Sequence, residues 1–281
     1  MTGQSGPSSA GPVAAGFDQA ASAYDATGTE FFTLLGGRLA AHAGIRAGER
    51  VADLGCGAGA ALIPAAVAAG PGGHVTGVDA SPAMLARARE AARARGVEVT
   101  LRTGDAEDPP LAPGSLNVIT ASSVLQFLPR PRRAVRAWLK LLAPGGRIAV
   151  SWGMRQDPAW APVMAVLDDE VPRQSAPGFE EYLRRPPFNS AGALERMLAE
   201  AGYTATATRT ESLTTTYDSP GQWWAACQGQ APWIVSWRHI PPGVLVTVRG
   251  AAFSLVDGLR GGDGRIRRTL TFGCTVASRP S

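Results

Sequence analysis

Three aspartates stand at the close of successive apolar segments in the first half of the chain, each beside residues that favour a turn. They are Asp53 in "VADLGCGAGA" (51–60), Asp79 in "VTGVDASPAML" (75–85) and Asp105 in "TGDAEDPP" (103–110). Gly55, Gly57 and Gly59 follow the first of them, and a helical pattern follows the glycines. A glycine loop between strand and helix lets backbone approach a ligand closely, and the helix start offers free N–H groups. Read literally, Gly55-x-Gly57-x-x-Ala60 satisfies the dinucleotide fingerprint, which puts a nicotinamide oxidoreductase among the candidates. Asp53 argues the other way, because a carboxylate beside the loop repels a diphosphate and attracts an ammonium group. Asp79 lies 24 residues beyond Gly55, where an acid accepts hydrogen bonds from ribose hydroxyls. Asp105 can accept from an adenine amino group while Ala106 offers its N–H to the ring. The ligand these residues describe carries an amino acid, a ribose and an adenine.

The elements that would position them alternate along the chain. Short apolar strands are expected at 50–54, 74–79, 97–102, 116–121 and 146–151, with helical patterns at 59–69, 82–95 and 130–143 between them. Two amphipathic helices, 17–26 and 30–44, precede them. The rhythm predicts an α/β fold, a doubly wound, mostly parallel sheet with helices on both faces. After residue 152 prolines accumulate, at 158, 162, 172, 177, 186 and 187. A helix at 190–201, a Thr-rich alternating strand at 203–216, a largely helical stretch at 217–260 and a last strand at 265–278 complete the pattern. The expected organisation is a disordered tail at 1–16 and a single domain at 17–281. Within it, a core at about 50–151 joins the two late strands, and a helical cap is drawn from about 152–190 and 217–260.

The chain has 281 residues, a formal charge of +4 and 45% hydrophobic residues, the profile of an ordinary globular protein. Its basic residues are spread along helix faces such as "RAREAARAR" (87–95) and "RPRRAVR" (130–136), which reads as solvated surface rather than a nucleic-acid stripe. Three widely spaced cysteines, Cys56, Cys227 and Cys274, fit a cytoplasmic protein and neither a disulfide framework nor a zinc cluster. No metal is expected. The N-terminal stretch lacks a secretory pattern, and no run is apolar enough for a membrane span. Monomer and homodimer remain equally open.

These motifs, in this order and spacing, resemble the class I S-adenosylmethionine-dependent methyltransferases. "VADLGCGAG" resembles their glycine motif, "VTGVDASPAML" their ribose motif, "RTGDAEDPPLAPGSLNVITASSVLQFLPRP" their adenine motif and following strand, and "LLAPGGRIAVS" (141–151) their turn into the fifth strand. Within the family the chain is similar to the small-molecule branch, including ubiquinone/menaquinone-type and bacterial natural-product enzymes. The resemblance implies a seven-stranded Rossmann-like sheet with N-terminal helices and a helical cap, and S-adenosyl-L-methionine as cofactor. It also implies a small, hydrophobic or aromatic metabolite as methyl acceptor. By the same resemblance Asp53, Gly55 and Gly57 hold the methionine portion, with the Ser122 carbonyl. Asp79 and Ala80 meet the ribose, Met84 packs on the adenine, Asp105 and Ala106 read its edge, and Tyr24 closes over the cofactor.

Methyl transfer from a sulfonium is an in-line displacement, so positioning supplies much of the catalysis, and a weak nucleophile also needs a proton acceptor. Relatives with a pattern like "HHLPD" after the fourth strand carry histidines where this chain has Gln126, Phe127 and Arg130 in "LQFLPRP". No catalytic histidine carries over. His239 and Gln126 are the remaining candidates for touching substrate, and Trp152, Trp160, Trp223, Trp224, Trp233 and Trp237 are either an aromatic wall or cap core. A protein that keeps the cofactor pocket without methylating, as a cyclase or binding module, is the alternative.

Overall fold

The computed structural model describes residues 15–18, 21–22, 24, 31–174, 188, 190–228 and 240–281. Of the tail expected at 1–16, residues 1–14 lie outside the described residues, as do His239, Trp233 and Trp237; residues 15–18 are helical, two residues ahead of the expected start, and residues 21, 22 and 24 of the helix expected at 17–26 lie in turns. Seven strands form one sheet: β1 (Arg50–Leu54), β2 (His74–Asp79), β3 (Thr100–Thr103), β4 (Leu116–Ser122), β5 (Leu142–Gln156), β6 (Thr204–Tyr217) and β7 (Ile266–Ser278). Their spatial order is β3-β2-β1-β4-β5-β7-β6. The first five pair in parallel, and β7 runs antiparallel to both β5 and β6.

Helices cover both faces. α1 (Phe31–His42), α2 (Leu62–Ala69) and α3 (Pro82–Arg95) lie on one side. There Phe31, Leu35, Leu39, Leu62 and Ala88 pack with Val51, Val118 and Phe272 of the sheet. On the other face α4 (Pro131–Leu141) and α6 (Ala191–Ala201) bury Val135, Trp138, Leu194 and Leu198 against Leu54, Ile119 and Ile148. The apolar residues of α4 recur at 134, 135, 138 and 141, the spacing that gathers a stripe on one helix face. α5 (Ala161–Gln174), α7 (Pro220–Gln228) and α8 (Pro242–Asp257) form the cap. The cap has its own core of Trp160, Leu167, Tyr217, Trp223, Val248 and Val256.

Several boundaries differ from the sequence expectation, among them the start of the helix expected at 59–69, which is Leu62, and the start of β5, which is Leu142 rather than 146. β3 begins at Thr100 rather than at 97. β5 does not stop at Ser151 but runs on to Gln156, so 152–156 belong to the sheet and not to the cap. Gly153 (φ +62°) creates a register shift between Trp152 and Arg155 against β7, a bulge that bends the strand without ending it. Glycine in a strand reads as an ending, and here it marks a bend.

Candidate functional site

The parallel strands share one carboxyl edge. Asp53 is in register with Thr120, Asp79 with Thr103, and Ser122 with Ser151. The chain switches from the β3 side of the sheet to the β4 side, so β1 and β4 flank the point where an open α/β sheet leaves a crevice for ligand.

The glycine loop after β1 is held from below and from the side. The N–H groups of Gly55 and Cys56 both donate to the Val78 carbonyl, at 2.7 and 3.0 Å. Gly55 has φ +67° and Gly57 φ +51°, the left-handed region that costs an L side chain. A Cβ on Gly55 would stand 2.5 Å from the Val124 side chain, whereas one on Gly57 would meet only the flexible Met84 Cε at 3.3 Å. The Gly57 N–H donates to Asp79 Oδ2 at 2.8 Å and the Ser81 N–H to Asp79 Oδ1 at 2.9 Å. Both carboxylate oxygens are thereby aimed, the Ala80 N–H adds a third bond, and acceptor capacity is left for a ligand. Burial, only partly offset by these bonds, raises the Asp79 acid above the usual carboxylate range.

Asp53 lies beneath the loop and is 1% exposed. Thr120 Oγ1 donates to its Oδ1 at 2.7 Å and the Leu62 N–H adds a further bond. Burial, with the neighbouring Asp79 charge, pushes its carboxyl up to about 7. Asp53 is therefore a buried acid under the loop, already holding β4 and the start of α2, rather than an open side chain.

The other expected residues distribute along the same edge. Met84 is buried beside Gly57, in the first turn of α3. Asp105 is exposed and accepts the Glu107 N–H at 2.8 Å, shaping the turn, while the Ala106 carbonyl accepts from Trp138 Nε1 at 2.7 Å. Ser122 Oγ lies 3.2 Å from Ser151 Oγ, and Ser123 adopts φ +55° with its N–H on Ser151 Oγ at 3.0 Å. Such strained backbone at a strand end is characteristic of ligand-facing positions. The short helical turn Leu125–Phe127 follows, and in it Gln126 Oε1 is buried with no hydrogen-bond partner among the described residues.

The N-terminal segment reaches the same place. Phe17 meets Phe127 and Tyr24 edge-on, with ring centroids 5.9 Å apart in each case, and Tyr24 stacks on Phe32 at 5.1 Å. Asp18 accepts from Ser81 Oγ at 2.7 Å and from the Ala83 N–H at 3.0 Å, capping α3. Arg87, taken from sequence as solvated surface, binds the carbonyls of Ala21 and Tyr24. Tyr24 thus lies on a segment fastened to the start of α3 and to Phe127. Asp18 and Arg87 were missed because nothing local in sequence marks a partner sixty residues away.

The two described histidines lie elsewhere. His42 ends α1 and pairs with Glu211, and His74 opens β2 at the opposite edge of the sheet. Trp160 and Trp223 are fully buried in the cap core, as is Trp224 for the most part. Trp152 lies over Gly273 and donates to Thr275 Oγ1 at 2.8 Å. The cleft's chemistry is therefore carboxylates, backbone N–H groups and one orphaned amide oxygen. That donor and acceptor set fits an adenosyl amino acid and works against a diphosphate.

Residues 51–146 match a family described as a methyltransferase domain. The chain is 39% identical to the nocamycin O-methyltransferase of Saccharothrix syringae, over 66% of this chain and 70% of that protein. It is 37% identical to the aklanonic acid methyltransferase DauC of Streptomyces sp. (strain C5), over 68% of this chain and 91% of that one. Among solved structures it resembles the YcgJ protein of Bacillus subtilis, with a TM-score of 0.55, 23% identity, and coverage of 88% of this chain and 98% of the other.

Proposed function

The chain belongs to the S-adenosylmethionine-dependent methyltransferase family, and on that footing we propose that it methylates an oxygen of a small, hydrophobic or aromatic metabolite in natural-product biosynthesis. The observation carrying this reading is the carboxyl edge itself. The glycine loop is bracketed by Asp53 below and Asp79 beside it, with Asp79 aimed by two backbone N–H groups. The oxygen acceptor is supported by the nocamycin enzyme's name, and the metabolite class by the names of both relatives.

Bound there, S-adenosylmethionine supplies a methyl carbon on a positively charged sulfur. Asp79, with Ala80 beside it, takes the ribose hydroxyls on its spare lone pairs. Asp53 favours the ammonium of the methionine portion through the field of its charge, and the Gly55 and Gly57 backbone and the Ser122 carbonyl complete that end. Asp105 and the Ala106 N–H read the adenine edge, with Met84 against the ring. Tyr24 and Phe17, on the N-terminal segment, keep water from the mouth. Gln126, with an acceptor buried and unpartnered, orients either the cofactor or the methyl acceptor. Orientation of acceptor oxygen, methyl carbon and sulfur in line carries the reaction, and an acceptor oxygen that is ionised at neutral pH needs no protein base.

Two coarser traits complete the reading. Among the described residues no helix is long and apolar enough to cross a membrane. A cytoplasmic protein acting without nucleic acid is proposed, supported by the wide spacing of its three cysteines, all of them buried. Calorimetric titration with S-adenosylmethionine, S-adenosylhomocysteine and NADH checks the cofactor site, and S-adenosylhomocysteine release over a panel of aromatic hydroxy and carboxylic acids checks transfer. Micromolar binding of the adenosyl pair with turnover on one panel member is the expected result. Binding of NADH alone overturns the site, and binding of the adenosyl pair with cofactor consumed by no acceptor favours a cyclase or binding module.

A further inference from the structure

β7 alternates strictly where it enters the cap. Ile266, Arg268, Leu270 and Phe272 are buried, and Arg267, Thr269 and Thr271 face outward to varying degrees. Period 2 thus puts an arginine on the apolar face, 7% exposed. Its Nε and Nη2 donate to Gln156 Oε1 at 2.8 and 2.5 Å, and Nη2 stands 3.9 Å from Met164 Sδ. Its Cζ lies 5.5 Å from the centre of the Trp160 ring, and the group also abuts the Tyr217 hydroxyl and the Cys227 thiol. Every one of these neighbours is neutral. Among the described residues no carboxylate pairs with Arg268, although every other close pairing of an arginine in β7 and the preceding turn has one, as in Arg267–Asp263 and Arg265–Asp218.

A buried charge without a counter-charge is costly. Two further groups share the deficit. Gln156 Nε2 and Trp223 Nε1 are buried with no acceptor among the described residues. Turning the Gln156 amide does not help, because it would set an NH2 against the guanidinium. Trp223 lies against Trp160, the ring under Arg268, at 5.8 Å between centroids. All the unmet demand in this cluster is therefore from donors around one positive charge. The group that answers it is an anionic oxygen.

We infer that Arg268, Gln156 and Trp223 form an anion-recognition subsite in the cap that takes a carboxylate, or an oxygen of like charge, on the methyl acceptor. This deepens the methyltransferase reading and rests on it. Gln156 lies five residues beyond Ser151 along β5, so the subsite stands up to roughly 15 Å from the carboxyl edge that holds the cofactor motifs. That places it remote from the methylated atom.

The subsite is tested on the protein saturated with S-adenosylhomocysteine, using 2-naphthoate as anionic probe and 2-naphthamide as its neutral counterpart at matched ionic strength. Tryptophan fluorescence and melting temperature report binding. Naphthoate is expected to bind at least tenfold more tightly than the amide. Arg268→Met is expected to abolish that preference while S-adenosylhomocysteine affinity stays within twofold. Trp223→Phe, which keeps the ring and removes the donor, is expected to weaken naphthoate three- to tenfold and decides the matter should Arg268→Met not fold. Equal affinity for the two probes, binding of neither, or a preference that survives in the variants overturns the subsite. Loss of S-adenosylhomocysteine binding in the unmodified protein, with the naphthoate preference intact, overturns the cofactor reading and leaves the anion subsite standing.

Discussion

Cofactor binding should be coupled to the ionisation of Asp53. The acid is fully buried under the glycine loop and its carboxyl is raised from 3.8 to about 7. A displacement of about 3 pH units corresponds to ~4 kcal/mol in favour of the neutral form. In the ligand-free protein the unfolded chain loses this proton near 4 and the folded one near 7, so stability should fall as pH rises between those values. An ammonium above the loop reverses the preference, because it favours the carboxylate. Binding of S-adenosylhomocysteine below pH 7 should therefore release a proton. Its affinity should rise about tenfold from pH 6 to pH 8 and level off above 7. Calorimetry in two buffers of different ionisation enthalpy counts the proton directly. 5′-Methylthioadenosine, which has the same nucleoside and no amino acid, separates Asp53 from Asp79, since only a contribution from Asp79 survives in it. Asp53→Asn should flatten the profile and weaken S-adenosylhomocysteine tenfold or more at pH 8. An affinity constant from pH 5.5 to 8, or an equal slope for methylthioadenosine, would refute the assignment of Asp53 to the ammonium end.

Gly55→Ala forces a methyl group to 2.5 Å from Val124 at φ +67° and should abolish S-adenosylhomocysteine binding, read by titration. Gly57→Ala, whose only neighbour is the flexible Met84 tip, should cost about 1–2 kcal/mol of stability for its left-handed backbone. Asp18→Ala leaves the Ser81 cap but removes the acceptor for Ser81 Oγ and the Ala83 N–H at the start of α3, and should cost about 1 kcal/mol in a denaturation curve, together with faster proteolysis ahead of residue 31. Tyr203→Phe removes the hydroxyl that donates to the Val135 carbonyl at 3.0 Å, and should cost about 1 kcal/mol with cofactor affinity unchanged.

The first half of the chain was legible because its signals are local. Strand, glycine turn and acid follow one another within ten residues, and β1, β2 and α3 lie where the pattern puts them. What sequence reading lost is long in range. Thr120 holds Asp53 only because β1 and β4 are neighbours in a particular register, and nothing near Thr120 in the chain records it. Asp18 and Arg87 depend likewise on an N-terminal segment that packs back on α3. Arg268 is different, since its signal was present. "IRRTLTF" alternates, and strict alternation puts the second arginine among the apolar side chains. β5 outruns its apolar pattern, 146–151, because the strand bends through a bulge at Gly153 instead of stopping, and the residues beyond the bend no longer alternate with the core.

The sheet order carries a consequence for synthesis. β7 is made after β6 yet lies between β6 and β5, so neither of those strands has its central partner until β7 emerges. While the cap is being translated, β5 presents a long row of unpaired backbone groups, and so does β6, the setting in which nascent chains pair with the wrong neighbour. The threonines along β6 and their hydroxyl pairs with β7, Thr208 with Thr275 and Thr214 with Thr269, keep that waiting edge polar until the right strand arrives. The cofactor cradle needs none of this and can be complete on the ribosome while the sheet stays open. Its adenosyl ligand would then act as an early brace, stabilising the parallel half of the fold before the half that chooses the substrate exists.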